Sequence, residues 1–246
     1  MNYNDLENTI GLEEIQNVIN SDKLIKNESL ERYVKFIKAK STIEKNDLND
    51  INEIILDSKT VTGERNIVIF EEINLFENLE RLKICNLGIY EKTIDLINEQ
   101  KKLNDIYFEN CNLTHIYKLE KIKKLHLCNT VMEDYNEIGK LKFLEELKLE
   151  NVKIEKFDFI SNISSLKNLY LLNVNENAID LLPELKNIEF LSISGINCAS
   201  KEKLAKFSNL KALSIDKSEL EKHKELITEL EEGNIKLLVE DTYEYL

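Results

Sequence analysis

Four residues have the side chains to hold a metal ion or to activate a nucleophile: Cys85, Glu109, His126 and Cys128. Each falls in a short stretch that alternates apolar and polar residues: Arg81-Leu-Lys-Ile-Cys85, Asp105-Ile-Tyr-Phe-Glu109 and Lys124-Leu-His-Leu-Cys128. Alternation with period two puts residues i and i+2 on one face of a strand. Thiolate, imidazole and carboxylate are zinc donors, and a Cys beside a His is the arrangement of a thiol nucleophile. The spacing argues against both. Three neighbouring strands would separate Cys85 from Cys128 by about 10 Å, and His126 from Cys128 by about 6.6 Å along one strand. Zn–S contacts need about 2.3 Å and Zn–N about 2.0 Å, and the cysteine side chain is short. The sequence has no Cys-x-x-Cys pair and no His-Glu-x-x-His. The expectation is therefore no tightly bound metal and no Cys–His nucleophilic site, with an enzyme or metal-binding protein using Cys85, Glu109, His126 and Cys128 as the alternative reading.

Other chemistry has weaker support. No Walker loop, Gly-rich dinucleotide fingerprint or Gly-x-Ser-x-Gly elbow is present, and the chain has only 6 glycines for phosphate-cradling turns. Carboxylate pairs are frequent because acids are frequent. These observations predict a non-enzymatic protein without a cofactor.

The strands that would position these residues belong to a repeat. Its clearest copy is Leu144-Glu-Glu-Leu-Lys-Leu149-Glu-Asn-Val152-Lys-Ile154, with apolar residues at positions one, four, six, nine and eleven. Leu79-Leu82-Ile84-Leu87-Ile89, Leu103-Ile106-Phe108-Cys111-Leu113 and Ile122-Leu125-Leu127-Thr130-Met132 precede it. Leu169-Leu172-Val174-Asn177-Ile179, Ile188-Leu191-Ile193-Ile196-Cys198 and Leu210-Leu213-Ile215-Ser218-Leu220 follow. Cys111 and Cys198 thus take inward positions. One copy cannot bury its own apolar face, but a stack can. The starts at 79, 103, 122, 144, 169, 188 and 210 are spaced 24, 19, 22, 25, 19 and 22 residues apart, and Ile235 would open an eighth copy after 25 more. The order long, short, medium occurs twice, from duplication of a three-repeat block or from coincidence.

The pattern resembles the leucine-rich repeat in a degenerate bacterial form, over residues 79–235 and extending towards 51–246. Only Asn177 supplies the Asn usual at position nine, so a side-chain Asn ladder is mostly missing. The resemblance implies an α/β right-handed curved solenoid, with a parallel concave sheet and a turn or short helix on the convex side of each repeat. It also implies a protein partner on the concave face. Positions three, five, seven and eight should line that face. They carry mixed charges in the first four repeats and a row Leu171, Phe190, Ala212 at position three of the later ones. The partner-binding residues expected are Leu171, Asn173, Phe190 and Ser192, with Tyr107, His126 and Lys148.

Charge and composition narrow the partner. The 246 residues carry 33 basic and 46 acidic side chains, a net charge of −13. That disfavours binding to nucleic acid or anionic membranes and favours a basic partner. A narrower reading is an acidic inhibitor or immunity-type protein masking a basic toxin or nuclease. No apolar run is long enough to cross a bilayer. Met1-Asn-Tyr-Asn-Asp5 lacks the basic and apolar regions of a secretory signal, so a cytoplasmic location with reduced cysteines is expected.

Residues 1–50 read as an N-terminal helical cap on a solenoid of residues 51–246. Leu12, Ile15, Val18 and Ile19, and then Leu30, Tyr33, Val34 and Ile37 after Asn27, have helical spacing. A separate partner-binding helical module is the alternative. Ile51, Ile54, Leu56 and Val61 form a degenerate first repeat; Thr62-Gly63-Glu64 reads as a turn and Ile67–Phe70 as a strand. Helices are expected over Tyr90–Lys101 and Ser200–Phe207. Another should start at the capping box Ser218–Glu221, with Leu220, His223, Ile227 and Leu230 on one face, and end at Gly233-Asn234. Ile235–Val239 reads as a last strand, its edge blunted by Glu240, Asp241 and Glu244.

Overall fold

The computed structural model describes residues 9–10, 43–44, 51–57, 73, 76–196, 201–231 and 235–240. The chain forms two compact halves, Met1–Lys121 and Ile122–Leu246.

In the amino-terminal half, β1 (Thr9–Ile10) pairs antiparallel with β2 (Ile43–Glu44). The helices expected between Leu12 and Ile37, the turn at 62–64 and the strand at 67–70 lie outside the described residues. β3 (Glu53–Asp57), β4 (Arg81–Cys85) and β6 (Asp105–Glu109) form parallel pairs in the order β3-β4-β6. Ile51, Ile54 and Leu56 are at most 2% exposed and match Leu79, Leu82 and Ile84 in register, so the degenerate first repeat is real in its strand. Beyond the strands, β5 (Gly88–Ile89) pairs with β7 (Asn112–Leu113). Between them α1 (Glu91–Asn98) buries Thr93, Ile94 and Ile97 against the sheet side, as the spacing of its isoleucines requires.

In the carboxy-terminal half, β8 (Lys124–Cys128), β10 (Glu146–Glu150), β11 (Asn168–Leu172), β12 (Phe190–Ser194), β13 (Ala212–Asp216) and β14 (Lys236–Glu240) follow one another as parallel neighbours. A two-residue strand, β9 (Val131–Met132), follows β8. Short 3-10 turns, Tyr135–Lys140 and Asp158–Asn162, and the four-residue α2 (Ala178–Leu181) make the returns. Positions one, four and six are buried in every repeat from Leu79 to Ile215, which is the core the leucine spacing predicts.

The register differs from expectation in the fifth repeat. β11 matches Leu147 with Leu169 and Leu149 with Leu171, so this repeat starts at Leu166, not Leu169. Leu171 is at position six and 0% exposed; it is core, not part of an outward row. The segment Leu166-Lys-Asn-Leu169-Tyr-Leu171-Leu172 fits the apolar pattern at two offsets, and Ile179 completed the wrong one. In the structure α2 brings Ala178 and Ile179 inward instead, and Asn177 is the residue before that helix rather than a ladder asparagine. With this correction the starts Ile122, Leu144, Leu166, Ile188 and Leu210 lie an even 22 residues apart. The long-short-medium order, and with it the duplicated block, disappears. β14 is likewise offset by one: Leu237 and Val239 match Leu213 and Ile215.

Among the described residues, a left-handed residue directly follows six of the strands, β4, β6, β8, β10, β11 and β12. Asn86, Asn110, Asn129, Asn151 and Asn173 occupy position eight with φ between 49° and 59°, and Gly195 takes the sixth place with φ 67°. Asparagine and glycine enter the left-handed region at little cost. The turned backbone keeps the ladder going. Asn86 N–H donates to the Glu109 carbonyl at 2.8 Å, Asn129 to Glu150 at 3.0 Å, Asn151 to Leu172 at 2.9 Å and Asn173 to Ser194 at 2.8 Å.

The helices between the strands are shorter than expected. Residues Lys201–Leu204 are a 3-10 turn, with Leu204 and Phe207 buried as predicted. The capping box is replaced: Asp216 accepts from Ser218 N–H at 2.8 Å and caps the 3-10 turn Lys217–Glu219. Ser218 is exposed rather than inward. The helix α3 (Lys224–Glu231) begins later, and His223, Leu226 and Leu230 face inward. Cys198 and the 233–234 stop lie outside the described residues, as do Asp241 and Glu244.

Candidate functional site

The strand face turned away from the core carries the polar side chains, and each half holds a small charged group built the same way. In the amino-terminal half, β4 offers Lys83 and Cys85 at positions five and seven, and β6 offers Glu109 at position seven. The Lys83 ammonium lies 2.7 Å from the Glu109 carboxylate and 4.2 Å from the centre of the Tyr107 ring, a cation–π contact. The Cys85 thiol donates to the same carboxylate at 3.7 Å. Arg81 pairs with Glu53 at 3.1 Å, both sides well exposed.

In the carboxy-terminal half, β8 offers His126 and Cys128 and β10 offers Lys148 and Glu150. His126 Nε2–H donates to Glu150 Oε2 at 3.0 Å, and Lys148 Nζ lies 3.3 Å from the same oxygen. The Asn129 amide reaches the Cys128 sulfur at 3.5 Å. His126, Cys128 and Glu150 present a nitrogen, a sulfur and an oxygen all within 4.8 Å of one another. The sequence reading grouped Cys85, Glu109, His126 and Cys128. The structure joins Cys85 to Glu109 in one half, and His126 and Cys128 to Glu150 in the other. Glu150 was expected on this face as one of its mixed charges and not as a member of the donor group, although the motif was there twice: Lys83-x-Cys85 with Glu109 one strand on, and His126-x-Cys128 with Glu150 one strand on.

Burial alone would raise the Glu150 carboxyl; the His126 hydrogen bond and the Lys148 charge outweigh it and hold the group below its ordinary value. Glu109 behaves alike, with Lys83, Tyr107 and Cys85 opposing burial. A carboxyl lowered in the folded state stabilises above its unfolded pKa, and that contribution is lost as pH falls through the folded value. The window therefore lies at and below the ordinary value of 4.5. Glu150→Gln should flatten the loss of melting temperature on acidification through this range while lowering stability near neutrality. A melting series across pH for both proteins checks it; parallel curves would contradict it. The Cys111 thiol, 1% exposed, is pushed up to about 11 by burial and bonds to the Ile84 and Glu109 carbonyls. It is the core cysteine its position predicted.

Further along, Tyr170 on β11 and Phe190 on β12 meet with ring centres 5.1 Å apart, tilted by 50°. Both are half-buried, as is Ala212. Ser192 and Ser214 beside them are only 2% and 1% exposed, so Ser192 is not a surface contact. Their small side chains lie low among larger neighbours. Asn173 is exposed, at the strand-ending turn. Tyr107, His126 and Lys148 are each half-buried on the polar face. The apolar patch is thus Tyr170, Phe190 and Ala212; position three of the fifth repeat, where Leu171 was expected, is Asn168, and Tyr170 enters the patch from position five.

No protein-family model matches the chain, and no curated protein matches it. Solved structures do. An internalin C2 from Listeria monocytogenes strain 4b F2365 is similar with a TM-score of 0.52 at 19% identity, over 89% of this chain and 96% of that one. Another internalin of that strain gives a TM-score of 0.50 at 17% identity, over 79% of this chain and 57% of that one. A leucine-rich-repeat protein from Leptospira interrogans gives 0.47 at 19% identity, over 79% of this chain and 56% of that one. Repeats in parallel register, buried positions one, four and six, and this likeness together show that the chain has the leucine-rich-repeat fold.

Proposed function

We propose that the protein is a non-enzymatic interaction scaffold that binds a protein partner on the polar strand face of its carboxy-terminal half. In a leucine-rich-repeat solenoid this is the concave side. The observation that carries the reading is the half-exposed Tyr170–Phe190 ring pair, standing beside the buried Ser192 and Ser214. Aromatic side chains are enriched at interface cores and carry much of the binding energy. Lys148, His126 and Glu150 lie towards the other side of the patch and would set orientation and encounter rate more than affinity. Tyr107 with Lys83 offers a similar aromatic and charged group in the amino-terminal half.

The fold has no fixed function, and leucine-rich-repeat neighbours support a protein partner by analogy. The net charge of −13 weighs against nucleic acid and anionic membranes as partners, and among the described residues no helix is long and apolar enough to cross a membrane. Cys85, Cys111 and Cys128 are free thiols, in keeping with the cytoplasmic location we infer. The narrower reading, an acidic inhibitor masking a basic toxin or nuclease, is favoured by the same net charge. Glu150 in the cluster is already matched by His126 and Lys148, so such a partner would need acids elsewhere on the chain.

Phe190→Ala should weaken partner binding by about 2 kcal/mol, roughly thirtyfold, and cost about 1 kcal/mol of stability through loss of the ring pair. Isothermal titration and thermal melting of the variant check both. Unchanged affinity would remove the ring pair from the binding surface.

A further inference from the structure

We propose that His126, Cys128 and Glu150 form a binding site for a borderline-soft divalent cation, with Zn2+ as the best match. The strand register makes the site. Glu150 is the direct cross-strand partner of Cys128, and Lys148 that of His126, so the imidazole and the carboxylate approach across the diagonal. Spacing along one strand suggested donors too far apart. The side chains instead lean together, and their ligand atoms fall within 4.8 Å of one another. A shift of about 1 Å brings a set of that size to the separations that Zn–N, Zn–O and Zn–S contacts of about 2.0 to 2.3 Å require. Imidazole, thiolate and carboxylate together suit zinc better than magnesium or calcium, which take oxygen donors. Three protein ligands leave a fourth position for water or a group from a bound partner. The histidine and glutamate side chains are 16% and 12% exposed, so an ion can reach them from the strand face.

The amino-terminal half provides the contrast. There the same layout has Lys83 where His126 stands, and its ammonium pairs with Glu109 at 2.7 Å. An ammonium is a cation rather than a ligand, so that copy is a permanent ion pair. Substituting imidazole is what turns the layout into a donor set. Lys148 competes with an ion at Glu150, because its ammonium lies 3.3 Å from the carboxylate. That gives the site a signature that a random surface site lacks: removing the lysine charge should tighten binding.

Full-length protein, freed of metal by chelation and kept reduced, is titrated with Co2+ and the thiolate-to-cobalt charge-transfer band recorded. Zn2+ affinity is then measured by displacement of the cobalt and by competition with a chromophoric chelator. The wild type should show the band, saturating at one Co2+ per chain. Cys128→Ser should lose the band, and both it and His126→Gln should weaken Zn2+ binding by roughly a hundredfold. His126→Gln should keep some of the band, since its thiolate remains. Lys148→Met should bind Zn2+ about tenfold more tightly, because a repelling charge is gone. Absence of the band at saturating Co2+ overturns the proposal. So does a band that survives in Cys128→Ser, because another thiol would be the source. If Cys128→Ser does not fold, unchanged affinity in His126→Gln overturns the proposal equally.

Discussion

Leu171→Ala should lower the free energy of unfolding by about 3 kcal/mol, within the usual range for a large-to-small change in a close-packed core. Leu171 is 0% exposed and lies in register between Leu149 and Ile193, themselves 0% and 1% exposed. Truncation leaves a cavity that neighbours on two strands cannot both fill. The size of the effect decides between two placements of one residue. On the partner face, where the repeat starting at Leu169 would put it, an exposed Leu→Ala change falls within about 0.5 kcal/mol of neutral. Denaturant unfolding measured alongside partner binding separates them: a large loss of stability with unchanged affinity is expected, and the reverse would restore the surface reading.

The second large effect is at the strand-ending turn of the sixth repeat. Gly195→Ala should cost about 2 kcal/mol, from two sources that act together. Its φ of 67° is in the left-handed region, where a residue other than Gly, Asn or Asp is strained. An added Cβ would also stand 2.3 Å from Asn173 Oδ1 and 3.2 Å from Asn173 Cα. The amide side chain can rotate away; the backbone atom cannot. Asn173→Gly in the same chain should recover part of the loss, with a coupling of about 0.5 kcal/mol or more. Additive effects would mean that φ alone sets the cost. Gly195 N–H also donates to the Glu219 carboxylate at 2.8 Å, a contact that the substitution should weaken by displacing the turn.

The fold was legible because burial follows chemistry that a sequence displays. Leu82, Ile84, Leu147 and Leu149 alternate with charged residues, and such a pattern admits one face only. The fifth repeat was not, because leucines at 166, 169, 171 and 172 satisfy two offsets and only strand pairing chooses between them. A better marker was present. Asn86, Asn110, Asn129 and Asn151 recur at position eight, and carrying that position on to Asn173 fixes the offset without reference to leucine. Position eight was expected to line the partner face; its asparagines are backbone devices, suited to a positive φ. The candidate site was half legible for a similar reason. His126 and Cys128 were conspicuous, but distances counted along a backbone ignore how side chains lean, and Glu150 read as one of the mixed charges of the face until the strand register set it opposite Cys128. His223 was read as a packed residue, and at 1% exposure it is one.

The account turns on whether the strand face around Tyr170 and Phe190 is where a partner binds. A photo-crosslinking residue is placed at Tyr170 in one variant and at Lys186 in another, and each is irradiated in the native host. Lys186 is well exposed, in the turn that precedes β12, and serves as a control off the strand face. The account predicts one discrete adduct from position 170, abolished by Phe190→Ala, and none from position 186. An adduct from position 186 with none from 170 would contradict it.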